Sequence, residues 1–295
     1  MPTAEELKRK IRTAGDLHSV VKTMKALAAV KMNEMQASVR ALAGYNRTVK
    51  MALHVLLRNR PPGAYVGDRS RGAIPGIVVF GSDQGMCGQF NEEIARHAAH
   101  EVRTLSPGAP PAVICIGGRA ASRLEEEGII PEALLPAPAS LQGVAPVVAR
   151  LLGMIQDWRS QRNIDRVVLC YNRLLTTATY GSRSLNLLPL DGEWLGLLKA
   201  DEWPSHCLPT FSMDWDQLFA ATVQQHLVVS LYRAATESQA SENAARLASM
   251  QAADTNIQER LAELSAEYHY IRQTAITEEI LDIVSGFEAL TGKEG

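Results

Sequence analysis

Proline punctuates only the middle of this chain. Apart from Pro2, every proline lies between Pro61 and Pro209, so residues 3–60 and 210–295 contain none, and glycine is sparse in both. An interior proline costs a helix about 3 kcal/mol and a glycine about 1 kcal/mol. The distribution predicts two long helical ends around a globular middle, with divisions at 1–60, 61–209 and 210–295. A helix over 211–288 would run on the order of 110 Å, longer than a compact globule accommodates, so it should protrude.

Hydrophobic spacing supports the division. Leu247, Met250, Ile257, Leu261, Leu264, Tyr268 and Ile271 follow alternating steps of three and four residues, with Asp254 in place of one apolar member. Leu7, Ile11, Ala14, Leu17, Val21, Met24, Ala28 and Met35 trace a similar stripe of smaller residues near the N-terminus. Such spacing is that of a coiled coil. Residues 1–60 carry twelve Lys/Arg against four Asp/Glu, and residues 211–295 carry five against thirteen. Opposite charge should therefore favour pairing of the two ends along their flanks. Each exposed pair contributes only a few tenths of a kcal/mol, so charge selects the partner more than it stabilises.

The middle alternates β-rich runs at 77–80, 112–116 and 166–171 with helical stretches near 92–105, 119–127 and 147–161, and a last strand is expected over 184–188. That order predicts a small parallel sheet with helices on both faces. Cys87, Cys115, Cys170 and Cys207 are widely spaced, which suits neither a zinc site nor a disulfide framework and predicts reduced thiols. A net charge of −2 gives no field directed at nucleic acid. The N-terminus lacks a secretory pattern, and no apolar run reaches membrane-spanning length.

The loop "GSDQGMCGQFN" (81–91) follows the first β-rich run and raises the question of a phosphate cradle. Its glycines, Gly81, Gly85 and Gly88, match neither G-x-x-x-x-G-K-[ST] nor G-x-G-x-x-G, and it has no lysine. "IGGRAAS" (116–122) reads most simply as a tight strand-to-helix turn. "GSRS" (181–184) lacks nucleophile-elbow spacing, and the histidines are scattered. No catalytic, metal or cofactor residues are expected.

Three segments, in chain order, resemble the gamma subunit of F-type ATP synthases. "VVKTMKALAAVKM" (20–32) is similar to the family's Lys-x-Met-x-x-x-Ala-x-x-Lys-Met. The loop at 81–91 is similar to its Ser-Asp-Arg-Gly-Leu-Cys-Gly-Gly-Leu-Asn. "SENAARLASMQAADTN" (241–256) and "YIRQTAITEEILDIVSG" (270–286) look like its C-terminal signature. The resemblance implies an α/β fold with a long helical extension, in which a Rossmann-like, mostly parallel sheet carries an antiparallel two-helix coiled coil. It implies a non-catalytic rotor shaft inside three alpha and three beta subunits, with the epsilon subunit and the c ring as further partners. The membrane association would be peripheral, through partners, on the cytoplasmic face of a bacterial membrane. Residue by residue, it implies beta-subunit contacts at Arg272, Gln273, Thr277, Glu279, Met24 and Cys87. It also implies a contact turn at the shaft base formed by Ser82, Asp83, Gln84, Gly85 and Gly88. The apolar 280–290 stretch would sit in a bearing at the top of the ring. Gln84 stands where the family has arginine, and "DLHSVV" (16–21) departs from its pattern. These departures resemble the alternative F-type ATPases of some bacteria, Na⁺-linked ones among them. Two other readings stay open at the level of residues: a non-rotary coiled-coil adaptor, and a Rossmann-type enzyme that dimerises through its helices.

Overall fold

A computed structural model describes residues 3–62, 74–106, 111–176 and 179–291, with side chains described as far as residue 285. Both proline-free ends are single helices: α1 spans Ala4–Arg58 and α6 spans Trp215–Thr291. Each starts at a polar cap. Thr3 Oγ1 accepts the Glu6 amide at 3.2 Å while the Glu6 carboxylate accepts the Thr3 amide at 3.1 Å, a reciprocal capping box. The Asp214 carboxylate accepts the amides of Asp216 and Gln217 at 3.1 and 3.2 Å.

Between them lie β1 (Gly76–Phe80), α2 (Phe90–Leu105), β2 (Ala112–Ile116), α3 (Gly118–Glu126), β3 (Ala133–Leu135), α4 (Leu141–Arg162), β4 (Val167–Leu174), β5 (Tyr180–Leu188) and α5 (Gly192–Ala200). The five strands form one sheet in the order β3-β2-β1-β4-β5. Four are parallel and β5 is antiparallel to β4. Strands β1, β2 and β4 are apolar on both faces because both faces are covered. One face packs on α4 and α6 through Val78, Leu169, Leu151 and Leu231, and the other on α2 and α3 through Ile77, Val79, Ile94 and Leu124. The expected strand at 184–188 is longer and antiparallel, while β3 and α5 were not foreseen. The three residues of β3 are too few to show a period, and the helix of α5 rests on a local cap in which the Asp191 carboxylate accepts the Glu193 amide at 2.9 Å.

The chain divides into two compact units. One consists of residues 28–248 and holds the sheet; the other consists of residues 1–27 and 249–295. In the smaller unit the inward positions of α1 include Leu7, Ile11, Ala14, His18, Val21, Met24 and Lys25, whereas Leu17 is 54% exposed. The N-terminal stripe is thus displaced by one residue at Leu17, and a histidine occupies the seam. Facing it, Met250, Asp254, Ile257, Leu261, Leu264, Tyr268 and Ile271 form the seam of α6. His18 meets Asp254 at 2.9 Å and Gln258 at 3.3 Å, and the Lys25 ammonium donates to Asp254 at 2.5 Å. The earlier residue of α1 reaches further along α6, so the helices run antiparallel. Flank pairing was expected from the charges. Among the described residues, however, the ion pairs recorded between α1 and α6 converge on Asp254 in the seam. A single polar seam position of this kind fixes helix register.

Candidate functional site

The loop 81–89 leaves the C-terminal end of β1, the central strand, where the chain order of the sheet reverses. Open α/β sheets bind ligands at that crevice. Here α6 fills it. Ser238 Oγ donates to the Phe80 carbonyl at 3.2 Å, and Ser241 Oγ donates to the Asn172 carbonyl at 3.1 Å. Residues 234–246 of α6 are buried without interruption despite the polar sequence ATESQASENAAR beginning at Ala235. Small side chains let the helix approach the strand ends, and hydroxyls satisfy carbonyls that would otherwise be left without partners.

The loop itself is closed by its own side chains. The Ser82 amide donates to Asn91 Oδ1 at 3.0 Å, and Asn91 Nδ2 donates to Ser82 Oγ at 2.9 Å. Ser82 Oγ in turn donates to the Gln84 carbonyl at 2.9 Å. Asp83 reaches across to the second crossover. Its carboxylate accepts the Gly118 amide at 2.7 Å, at the N-terminus of α3, and the Ala137 amide at 2.8 Å. The amide at the start of "GRAAS" that a phosphate could have used is therefore held by a carboxylate of the same chain. Gly81 and Gly117 permit this approach. A Cβ on Gly81 would lie 2.1 Å from the Ala120 Cβ, and Gly117 has φ +99° with Ser82 backbone 2.6 Å from its Cβ position. Met86 and Gly88 take left-handed conformations, φ 59° and 57°.

From α6, Arg246 locks the loop. Its Nη2 donates to Glu242 at 2.7 Å and to the carbonyls of Gly85 and Gln84 at 3.4 and 3.5 Å. Burial raises the pKa of the Glu242 carboxyl, and Arg246 works against that rise. Residues Glu237, Ser238, Ser241, Glu242 and Arg246 were not singled out in the sequence. The available signal was the loss of the three–four apolar alternation just where small polar residues accumulate.

The sequence-predicted residues fall into two groups. In the larger unit, Ser82, Asp83, Gln84, Gly85, Cys87 and Gly88 belong to this one loop. The Cys87 side chain is turned inward at 2% exposure, and burial raises its thiol pKa. Outward, the loop presents Gln84, Met86 and Gln89, with Asp83 and Gly88 also exposed. In the smaller unit, Arg272, Gln273, Thr277 and Glu279 are exposed along α6, and Met24 on α1 is half-buried. Thr277 Oγ1 donates to the Gln273 carbonyl at 2.9 Å. Beyond them, Ile276, Ile280, Leu281, Ile283 and Val284 are exposed apolar residues. Residues 286–290 of the expected bearing lie outside the described side chains.

Comparison with known proteins gives a consistent result. ATP synthase gamma chains of Leptothrix cholodnii and Dechloromonas aromatica are 29% and 28% identical to this chain, and each alignment covers 98% of it and 100% of the relative. A chain from the Euglena gracilis mitochondrial ATP synthase (OSCP/F1/c-ring, rotational state 3) superposes with a TM-score of 0.66 at 19% identity. It covers 99% of this chain and 96% of its own. A chain from the Tetrahymena thermophila mitochondrial ATP synthase central stalk and c-ring has a TM-score of 0.56 at 19% identity, covering 79% and 99%. At those identities the structural likeness establishes the fold, a mostly parallel sheet with long terminal helices. The family model described as ATP synthase matches residues 3–290, nearly the whole chain, and the protein belongs to that family.

Proposed function

We propose that this chain is the gamma subunit, the central rotor shaft of an F-type ATP synthase. It couples ion-driven rotation of a c ring to ATP synthesis or hydrolysis at beta subunits. The carrying observation is the family match across residues 3–290 in a chain whose two ends form an antiparallel helix pair. The partners are three alpha and three beta subunits, the epsilon subunit and the c ring, and the chain has no catalytic role of its own. No described helix is long and apolar enough to cross a membrane. Association with the cytoplasmic face of a bacterial membrane would then be peripheral, through partners.

Arg272, Gln273, Thr277 and Glu279, exposed on α6, are proposed to hydrogen-bond to a beta-subunit loop, with Met24 contributing from α1. In the 81–89 turn, exposed Gln84 and Met86 are proposed to supply the contact. Cys87, expected to touch the beta subunit, is buried against Ser82 and Asn91 and so would act through the shape of the turn, together with Ser82, Asp83, Gly85 and Gly88. The exposed aliphatic residues from Ile276 to Val284 suit an apolar bearing, since a free helix gains nothing by exposing them. Co-expression with alpha and beta subunits tests the reading: a 3:3:1 assembly with ATPase activity supports it. Failure to co-purify, or a stoichiometry set by self-association, refutes it.

A further inference from the structure

At the free edge of the sheet, α1, β4, β5, α5 and α6 of the larger unit line a half-open cavity of about 380 Å³. Four permanent cations line it from four different elements: Lys50 of α1, Arg173 of β4, Arg183 of β5 and Arg233 of α6. Two carboxylates answer them. Glu237 accepts from Arg233 Nε at 2.8 Å and lies 3.7 Å from Arg173 Nε, and Asp191 is committed to the cap of α5. Among the described residues, Lys50 and Arg183 have no ion pair, and the terminal amino groups of Arg233 carry no hydrogen bond.

The cavity also holds a polar group that the fold leaves unused. His226 stacks on Trp194 with ring centroids 5.0 Å apart, and its Nδ1 is buried without a hydrogen-bond partner. Burial, with Lys50 nearby, lowers its pKa to about 4, so the ring is neutral near pH 7 and offers a hydrogen bond in place of a charge. Buried polar nitrogens are normally satisfied, and an orphan beside a surplus of cations points to a missing anionic partner.

We infer that this cavity binds a small phosphate-bearing anion of the pyrophosphate or nucleoside diphosphate class. Arginine forks engage phosphate oxygens in pairs, and a lysine adds a point charge. The volume lies within the range of small-ligand pockets. Arg173 and Arg183 stand on the paired strands β4 and β5, which fix the spacing of their backbones. The lining shares no residue with the proposed beta-subunit contacts, and the inference does not depend on the rotor reading.

Calorimetric titration of the full-length chain with sodium pyrophosphate, and separately with magnesium-free ADP at fixed ionic strength, tests the inference. Saturable one-to-one binding below millimolar Kd is expected for pyrophosphate, weakening at least tenfold in the Lys50→Gln/Arg183→Gln double variant. Neither residue has an ion pair to lose, so the far-ultraviolet spectrum should be unchanged. Trp194 emission should shift on binding, and Trp194→Phe should bind while losing that shift. Pyrophosphate without ADP binding assigns an inorganic ligand; binding of both assigns the shared phosphate chain. Absence of saturable binding, or equal affinity in the double variant, overturns the inference.

Discussion

Replacing Arg246 by methionine removes the main cation that neutralises Glu242, Lys31 being the lesser one, and with it the clamp on the loop after β1. Both side chains are nearly buried, at 9% and 12% exposure, and are joined at 2.7 Å. Breaking such a pair from one side typically costs about 3–5 kcal/mol, because the surviving charge stays desolvated. In a chain of this size each kcal/mol is worth about 2–4 °C, so the midpoint of thermal unfolding should fall on the order of 10 °C. The pH dependence has a definite sign. Burial already raises the folded-state pKa of Glu242, and losing Arg246 raises it further. An acid with a raised folded-state pKa contributes stability below its unfolded pKa, near 4.3, and loses it as pH rises through the folded value. The deficit of Arg246→Met relative to wild type should therefore be small near pH 4 and grow toward pH 8. Adding Glu242→Leu should recover most of the loss, since an apolar pair of similar volume is often neutral or better. Circular dichroism melts of the three proteins across pH read all of this. A loss under about 1 kcal/mol, a pH-independent deficit, or no recovery in the double variant would refute the reasoning.

Other outcomes follow from the same contacts. Gly81→Ala places a methyl 2.1 Å from the Ala120 methyl and should cost at least about 2 kcal/mol by denaturant unfolding, with α3 forced away from β1. The Lys25 hydrogen bond, outweighing desolvation, and His18 hold Asp254 below the usual carboxylate range. A lowered folded-state pKa gives stability that is present above the unfolded value and lost as pH falls. Melts followed by helix ellipticity should thus show wild type losing more than Asp254→Asn between pH 5 and pH 2. Arg272→Ala and Gln273→Ala remove exposed side chains and should leave the melting midpoint of the isolated chain within about 2 °C, consistent with surface substitutions. In a 3:3:1 assembly the same changes should lower ATPase activity severalfold.

Much of the fold was legible because two strong signals agreed. Proline exclusion marked both long helices, and the three–four spacing through Met250, Leu261 and Leu264 located the α6 seam. On α1 the apolar pattern pointed to Leu17, while the seam takes His18, because a carboxylate on the facing helix makes the polar residue the better partner. That compensation is invisible along one helix. The β-rich runs of β1 and β2 were readable as continuous apolar segments; β3 was too short to show a period. The glycine spacing of the loop after β1 was readable from the sequence, but the contacts that close it were not. What occupies the crevice could not be read locally. Asp83 lies 35 residues from Gly118, and Ser238 lies 158 residues from the carbonyl of Phe80. Residues 234–246 conform to neither an apolar core helix nor a solvated one, and only the strand ends explain a buried polar stretch there.

The central claim is that this chain turns as a shaft within a ring of catalytic subunits. It is tested most directly by immobilising a 3:3:1 assembly through its beta subunits and attaching an optical probe to this chain through an added cysteine. With ATP supplied, the account predicts continuous one-way rotation of the probe, with three dwells in each revolution. An assembly that hydrolyses ATP at full rate while the probe stays fixed would contradict it.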